Sequence, residues 1–379
     1  MKKGKFTALF FVICLFVIQG FCVFKPQEDF SENENRTLQT FPVFSLKTIF
    51  NGEFMKEFDS YTSDQFLFRD SWVNLATREL LAVGKKDNQK AYFGKDGYLF
   101  PVETVDYTQF ARNREFLLEF LERCKTEYPQ VHSTVMMVPT ATTILKEKLP
   151  YGADVPEEES LIAQVKEPMD GLASFCDPTQ ELKAHAQESI FYRTDHHWTS
   201  LGAYYSYRAW ADNKGVPPRN LEDFTRKTVT DSFLGTTYSK ANLSSIRPES
   251  IEIFVSTEES PVSMQVNTGK EIKRFDSLYD ESYLQKKDQY SYFLSSNNPL
   301  VSIETGVKNG RILLVLKDSF ANSFVPFLTG EYEKILVVDP RYQRTGILEM
   351  IGQEKVTDIL VLYNIISFAN DANLVSLIR

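Results

Sequence analysis

The octet from Tyr192 to Thr199 holds the side chains of this chain that are best suited to moving protons. The 379-residue chain has four histidines, and two of them, His196 and His197, lie side by side directly after Asp195. A histidine ring can take up and return a proton near neutral pH, and a carboxylate can hold that ring in one tautomer and stabilise its cation. The octet therefore offers a proton-transferring histidine and a carboxylate that can orient it, but it supplies no nucleophile.

A candidate nucleophile, Ser319, lies far downstream, two residues after an apolar run that predicts a strand and at the start of a predicted helix. The free backbone N–H groups and the positive end of a helix dipole face a group held there. A serine in this place can attack an acyl carbon while its own N–H binds the oxyanion. The alternative is structural, with Asp318 or Ser319 simply capping the helix.

The elements that must position these residues are predicted by three short runs rich in leucine and β-branched residues, at 311–316, 334–338 and 358–363. Segments of helical length separate the runs, which is the pattern of a parallel sheet covered on both faces. With residues 131–138 as a further strand, we expect an α/β fold with a doubly wound parallel sheet. In such sheets the chemistry collects at the carboxyl ends of the strands.

Two further polar residues fall at the same predicted edge of the sheet. Asn364 directly follows the strand that ends at Tyr363, so its amide can be placed beside Ser319 to donate to an oxyanion. A plain turn residue is an equally good interpretation of Asn364. Asp318, next to the nucleophile, is a second candidate for contact with the oxyanion or the substrate.

The histidine motif has two alternatives, a surface turn and a metal site built from His185, Asp195 and His197. Zinc sites usually draw three or four protein ligands with supporting hydrogen bonds, and no fourth ligand is evident, so we predict no metal and no other cofactor. In an extended segment Asp195 and His197 share one side, and His196 is then expected to point the other way, into the structure.

Helical patterns predict much of the remaining body. Apolar residues recur at helical spacing from Phe54 to Val83, Asn113 to Tyr128 is strongly amphipathic, and 156–175 reads as another helical stretch. Thr199 is expected to cap the next helix, which ends near Gly215.

The chain is expected to be exported. Lysines at positions 2, 3 and 5 precede an apolar run from Phe6 to Phe24, which is near the lower length limit for a membrane-spanning helix. Positive charge before the run predicts a cytoplasmic N-terminus and an external main domain, held by a single uncleaved anchor. A cleaved signal peptide is the alternative, and the protein is then secreted.

The predicted organisation is a signal-anchor or signal peptide at 1–24, a stalk at 25–50, and an α/β domain at 51–379 that carries an irregular polar insertion at about 216–300. The net charge of −9 argues against nucleic acid as a partner. Cys124 and Cys176 are the only cysteines outside the N-terminal segment, and they are expected either to pair or to remain as two buried thiols.

Several segments of the chain resemble those of a known family, the bacterial DHHW proteins. These are similar to alginate O-acetyltransferase-type proteins with an SGNH-hydrolase-like domain. The segments that carry the resemblance are Glu34-Asn35-Arg36, 64–70, 94–99, Thr194-Asp195-His196-His197-Trp198-Thr199 with Gly202-Ala203, and Lys317-Asp318-Ser319-Phe320.

The resemblance implies a triad of Ser319, His197 and Asp195 and acyl transfer to or from a carbohydrate hydroxyl outside the membrane. It also implies a circular permutation, since SGNH enzymes have the serine first and the Asp-His pair last, and in that order Asn364 takes the place of their oxyanion asparagine. Lys317 departs from the glycine that usually precedes Asp-Ser, and the Asp-His spacing is one residue shorter than usual.

The sequence therefore predicts an extracytoplasmic O-acetyltransferase that acts on a cell-surface or secreted polysaccharide. The resemblance suggests a multi-span membrane acyltransferase as the partner that supplies the acetyl group. The alternatives are a carbohydrate acetyl-esterase that uses the same residues, and a non-catalytic glycan-binding or assembly protein whose abundant aromatic rings stack on sugars.

Overall fold

The computed structural model describes residues 6–7, 9–13, 16–17, 20–21, 25–31, 33–34, 36–257 and 261–379. They form two compact units, one of Met1–Asn88 with Ser239–Ser245, and one of Gln89–Tyr238 with Ile246–Arg379. Every candidate site residue belongs to the second unit. The division into segments at 1–24, 25–50 and 51–379 stays a prediction.

Much of the predicted N-terminal segment, including its three lysines, Cys14 and Cys22, lies outside the described residues. Among the ranges given above, the structure contains no helix with the length and apolar character needed to cross a membrane.

Among its described residues between Phe30 and Ala82, the first unit has a short antiparallel strand pair followed by three helices. Its predicted helix from Phe54 to Val83 is interrupted, because Phe68 adopts a left-handed backbone with φ of 56° at the start of the third helix. The elements are β1 (Phe30–Ser31), β2 (Arg36–Thr37), α1 (Leu46–Phe50), α2 (Glu53–Asp64) and α3 (Arg69–Ala82).

Two of the segments that carry the family resemblance meet within this first unit through charged side chains. Arg36 pairs with Glu34 at 2.6 Å and with Asp64 at 2.5 Å, and Arg69 pairs with Glu34 at 3.0 Å. Each carboxylate is shared by two arginines, so the network links the segment at 34–36 to the start of α3. These segments therefore have a structural role.

The second unit contains the other strands and helices, except that the last three residues of the helix at Thr236–Ala241 belong to the first unit. The strands are β3 (Ala91–Phe93), β4 (Leu99–Pro101), β5 (His132–Val138), β6 (Ser174–Cys176), β7 (Phe224–Phe233), β8 (Glu249–Ser256), β9 (Ser263–Asn267), β10 (Ile272–Phe275), β11 (Leu300–Glu304), β12 (Ile312–Lys317), β13 (Lys334–Val338) and β14 (Asp358–Asn364). The helices are α4 (Tyr107–Glu127), α5 (Ala141–Ile144), α6 (Glu158–Lys166), α7 (Thr179–Ala184), α8 (Ser200–Lys214), α9 (Thr236–Ala241), α10 (Ala321–Phe324), α11 (Ile347–Gln353) and α12 (Ile365–Asn370).

Within the described part of the chain, one eight-stranded sheet has the order β10-β9-β11-β13-β12-β14-β5-β6. The five strands from β13 to β6 are parallel, and β11, β9 and β10 extend them as an antiparallel edge. If β12 is counted first and the chain is read on through β14 to β5 and β6, the parallel order becomes 2-1-3-4-5, which is a doubly wound order. The predicted α/β fold class and its circular permutation are confirmed.

The four strands predicted from apolar runs are all present, with ends that differ by one residue at most. The helical stretch expected at 156–175 was wrong in its second half, since α6 ends at Lys166 and Ser174–Cys176 forms β6 beside β5. A three-residue strand is too short for its periodicity to be told from that of a helix. The polar region 216–300 supplies the β7–β8 pair and two edge strands of the main sheet.

Both faces of the sheet are covered, as the apolar runs predict. Leu313 and Val315 of β12 belong to a cluster that includes side chains of α8 and α10, whereas Leu314 and Leu316 belong to a second cluster with α4, α11 and α12. Successive side chains of a strand point to opposite faces, so a strand buried on both faces reads as a continuous apolar run.

Helix α8 packs unusually close to the segment that leads into the histidine motif. Thr199 caps this helix and the left-handed Gly215 ends it, as predicted. A Cβ atom on Gly202 would lie 2.2 Å from the carbonyl oxygen of Ile190, so only glycine allows this approach. Gly202 therefore allows helix α8 to pack directly against the segment that leads into the histidine motif.

The two cysteines of the main domain, Cys124 on α4 and Cys176 on β6, are buried free thiols. Burial raises the pKa of both thiols to about 12, so neither has the character of a reactive thiolate.

Candidate active site

The histidine motif is a tight loop rather than an extended segment. Tyr192 N donates to the carbonyl of His197, and Thr199 N donates to the carbonyl of Ile190, which joins the two ends of the loop. Inside it the Asp195 carboxylate accepts a hydrogen bond from His197 N at 3.0 Å. This Asx turn folds residue 197 back toward residue 195.

The loop brings together the three side chains that the sequence predicted as a triad. His197 Nδ1 lies 2.5 Å from Asp195 Oδ1, and His197 Nε2 lies 2.7 Å from Ser319 Oγ. A carboxylate only accepts, so Nδ1 carries the proton and the free Nε2 accepts from the serine hydroxyl. The order of nucleophile, base and orienting acid suits proton removal from Ser319.

Ser319 is placed by the carboxyl end of β12, as expected. The strand ends at Lys317 beside Leu362 of β14, and helix α10 begins two residues after the serine. The indole N–H of Trp198 donates to the carbonyl of Phe320 and to Ser323 Oγ, both at 2.9 Å. This buried tryptophan therefore ties the histidine loop to the turn that carries the nucleophile.

The second oxygen of Asp195 is held by a residue that the sequence did not single out. Thr236 N donates to Asp195 Oδ2 at 2.6 Å and Thr236 Oγ1 does so at 2.9 Å. Burial alone would raise the pKa of the Asp195 carboxyl, but the charges of His196 and His197 and these hydrogen bonds hold that pKa well below its usual range. Asp195 is therefore ionised at neutral pH.

The glycine before Thr236 is required by the same carboxylate. A Cβ atom on Gly235 would lie 2.3 Å from Asp195 Oδ2 and 2.3 Å from Asp195 Cβ. Real Cβ atoms do not approach other heavy atoms this closely, so any larger residue must move the acid.

His196 does not point away from the site, and that expectation was wrong. Its ring centroid is 3.8 Å from that of His197, its Nδ1 is 2.8 Å from Thr236 Oγ1, and it is partly exposed. The Asx turn removes the alternation of an extended segment, so both histidines lie near Asp195. The donor atoms of these three residues lie within 4.8 Å of one another and could hold a metal ion. His185, the other predicted ligand, instead pairs with Glu188 and stacks on Tyr205.

Tyr290 is a site residue that sequence reasoning missed. Its ring stacks on that of His197, with 3.8 Å between centroids and 12° between planes, and its hydroxyl donates to the carbonyl of Ser319 at 3.2 Å. The ring is buried, which raises the pKa of Tyr290 well above its ordinary value. One tyrosine thus orients the base and the backbone of the nucleophile, and no motif marks it.

Glu249 is a second missed residue. Its carboxylate accepts from Arg193 N at 2.8 Å, from Thr194 N at 2.7 Å and from Thr194 Oγ1 at 2.5 Å. Burial raises the pKa of Glu249 although these bonds oppose that rise. Glu249 fixes the backbone just before Asp195, and Thr236 holds the Asp195 carboxylate. Two residues of the polar region 216–300 therefore position the acid.

Asn364 was expected to donate to an oxyanion beside Ser319, but its side chain is used elsewhere. Its Nδ2 donates to Asp318 Oδ2 and to Ser367 Oγ, both at 2.6 Å, which uses both amide hydrogens. Its Oδ1 caps α12 by accepting from Ser367 N. Asp318 is buried, and its carboxylate accepts a hydrogen bond from Phe320 N. It therefore helps to hold the turn that carries Ser319. Both predicted oxyanion or substrate candidates are therefore occupied by hydrogen bonds within the protein.

Lys317, which directly precedes Asp318, is 2% exposed. Its Nζ donates to Asn297 Oδ1 at 2.5 Å and lies 3.4 Å from Asp339 Oδ2. Arg341 binds both oxygens of Asp339. Burial lowers the pKa of Lys317 to about 8, although the Asp339 carboxylate opposes this shift.

Comparisons with known proteins agree with this description. A family model described as DHHW protein matches residues 130–338. No relative is found by sequence among curated proteins.

Solved structures with a similar fold include a DHHW family protein from Eubacterium siraeum, with a TM-score of 0.62 and 26% identity over 74% of this chain and 91% of that one. PatB1 of Bacillus cereus, solved with a sulfonyl adduct, matches with a TM-score of 0.61 and 18% identity over 73% and 97% of the two chains. The O-acetyltransferase domain of AlgJ from Pseudomonas putida matches with a TM-score of 0.46 and 13% identity over 74% and 93%.

Substituting Gly235→Ala should disable the triad by pushing Asp195 out of line with His197. We expect the rate at which a sulfonyl fluoride labels Ser319, followed by intact mass, to fall at least about 100-fold, because an unoriented base does not activate the serine. Gly330→Ala is the matched control, since its Cβ would meet only the flexible end of Arg219, and it should label at the parental rate. Equal rates in both variants would contradict the role given to Gly235.

The buried ammonium of Lys317 should make stability depend on pH in a defined direction. Between the folded pKa of about 8 and the ordinary value of 10.5, the unfolded chain binds the proton and the folded chain does not. The free energy of unfolding should therefore rise with pH across this window relative to Lys317→Met, by about 3 kcal/mol at most. Urea unfolding of both proteins at pH 7 and pH 10 measures this, and a pH-independent difference between them would be inconsistent with the buried charge.

Proposed function

The chain belongs to the DHHW family. Its Asp195 is hydrogen-bonded to His197, which is in turn hydrogen-bonded to Ser319. We therefore propose that it is an O-acetyltransferase acting on a polysaccharide. The observation that carries the proposal is the 2.7 Å contact between His197 Nε2 and Ser319 Oγ. Ser319 is partly exposed, whereas the base and the acid are buried, so a substrate can reach the nucleophile without disturbing the pair that activates it.

The proposed reaction has two acyl-transfer steps. Ser319 Oγ attacks the carbonyl carbon of an acetyl ester or thioester while His197 Nε2 takes the serine proton. The tetrahedral intermediate expels the donor's leaving group, which takes that proton, and an acetyl-serine ester remains. A sugar hydroxyl then attacks this ester, gives its proton to Nε2, and leaves as the O-acetylated product while Oγ regains a proton.

Asp195 supports both steps without changing its own protonation. Its low pKa keeps the carboxylate charged as His197 becomes an imidazolium ion in each step. The Thr236 hydrogen bonds fix the carboxylate, so its charge is already placed when the cation forms. No cofactor takes part in this scheme.

We also propose that the main domain works outside the cytoplasm, held by an N-terminal anchor, and that a multi-span membrane acyltransferase supplies the acetyl group. The basic residues before the apolar run at Phe6–Phe24 favour this orientation. Protease added to intact cells should digest the main domain while a cytoplasmic control protein survives. Full protection of the domain until the cells are lysed would refute the proposed location.

The function is tested by giving the purified full-length protein an activated acetyl ester, with and without a polysaccharide. Acetate release or transfer should fall by up to about 10⁶-fold in Ser319→Ala, because the covalent route is lost. Ser160→Ala, which changes an exposed helix serine, should retain the parental rate.

The form of the product separates the alternatives. Acetyl groups on the polysaccharide indicate transfer, and free acetate from an acetylated polysaccharide indicates an esterase. Polysaccharide binding without turnover, unchanged by Ser319→Ala, would overturn the proposal in favour of a glycan-binding protein.

A further inference from the structure

The proposed chemistry needs donors for the acyl oxygen, which gains negative charge as Ser319 attacks. One donor is the backbone N–H of Ser319, which makes no hydrogen bond to any described residue of the chain. Asn364 cannot be the second donor while both of its amide hydrogens are given to Asp318 and Ser367. A second donor must come from another element.

Asn297 lies on the loop that precedes β11 and contacts two residues that are close to Ser319 in the chain. Its Oδ1 accepts from Lys317 Nζ at 2.5 Å and from Asn322 Nδ2 at 3.3 Å. These partners lie two residues before and three residues after Ser319, so the amide is held against the turn that carries the serine. Asn297 is partly exposed, as a group that meets a substrate must be.

The orientation of this amide is set by its neighbours. An ammonium group only donates, so the amide must turn its oxygen toward Lys317. Its Nδ2 then points away from Lys317, and within the described ranges it donates to no protein atom. The contact thus leaves two N–H bonds on Nδ2 available to an acyl oxygen.

The backbone before Asn297 is strained in a way that suggests a functional constraint. Leu294, Ser295 and Ser296 have φ of 54°, 55° and 77°, which is the left-handed region for three successive residues with side chains. Each such residue costs about 1–2 kcal/mol. Ser295 Oγ donates to Asp280 Oδ2 at 2.7 Å, which helps to hold the turn. Tyr290, which contacts His197 and Ser319, lies four residues before this run.

We propose that Asn297 is the second oxyanion donor, acting with the Ser319 N–H, and that Lys317 is a positioning residue that holds the Asn297 amide in its donating orientation. The inference rests on the proposed acyl transfer through Ser319. It also gives the buried lysine a role, since its ammonium turns the amide and Asp339 with Arg341 balances its charge.

The inference is tested by the rate at which phenylmethanesulfonyl fluoride modifies Ser319 in the full-length protein, followed by intact mass. That reaction places a sulfonyl oxygen where the acyl oxygen would lie, so it reports the oxyanion site without a glycan or an acetyl donor. Asn297→Ala and Asn297→Asp should both react about 100-fold more slowly, because neither offers an amide hydrogen. Asn309→Ala, at an exposed asparagine, should react at the parental rate.

The role of Lys317 is tested by a double-mutant cycle. Lys317→Met should slow the reaction, and Asn297→Ala combined with Lys317→Met should be no slower than Asn297→Ala alone, because Lys317 acts through Asn297. If the two effects instead multiply, the positioning role is wrong. Thermal unfolding of each variant checks that it is folded. Asn297→Asp keeps an oxygen for Lys317 Nζ to contact, whereas Asn297→Ala removes that contact.

A readout that needs no variant is the side-chain amide resonance of Asn297, which should move downfield when the parent protein is sulfonylated. An unchanged resonance, or parental labelling of Asn297→Asp, overturns the inference while the proposed function stands. Slow labelling of both asparagine variants without any acetyl transfer by the parent supports the inference and overturns the proposed substrate. If the parent is not labelled at Ser319 at all, both are wrong.

Discussion

A buried carboxylate that must be satisfied on both oxygens organises this site. Asp195 carries a negative charge in a place that water does not reach, and such a charge is stable only with close donors. Oδ1 accepts hydrogen bonds from the ring Nδ1 and the backbone N of His197. Oδ2 accepts hydrogen bonds from the backbone N and Oγ1 of Thr236. The orientation of the base, the tight turn of the loop and the glycine at 235 all follow from this one requirement.

The sheet supplies the second half of the arrangement. The carboxyl ends of β12 and β14 carry Ser319 and Asn364, and Asp318 binds them together across the edge through both donors of Asn364. The network below the nucleophile is therefore structural, while the groups open to a substrate come from loops. This division is typical of parallel sheets, where rigid strand ends place a reactive residue and variable loops complete the site.

The region between α8 and β11 has a larger part in the site than its polar, irregular sequence indicates. It contributes Thr236 and Glu249 around the acid, and Tyr290 and Asn297 around the base and the nucleophile. These residues are spread from position 236 to position 297 and share no spacing or motif. Their roles follow only from their contacts in the folded chain, so the sequence analysis did not single them out.

The sequence by itself determined the parallel α/β fold, because strands buried on both faces leave continuous apolar runs. It also singled out Ser319, His197 and Asp195, because few side chains can move protons, whereas the permuted strand order was implied by the family resemblance. Tertiary structure alone decided that His196 faces the site, that Asn364 is occupied and that Lys317 is buried beside Asn297. Hydrogen-bond partners that are far apart in the chain leave no periodic signal, so which donors of a side chain remain free is known only when its neighbours are in place.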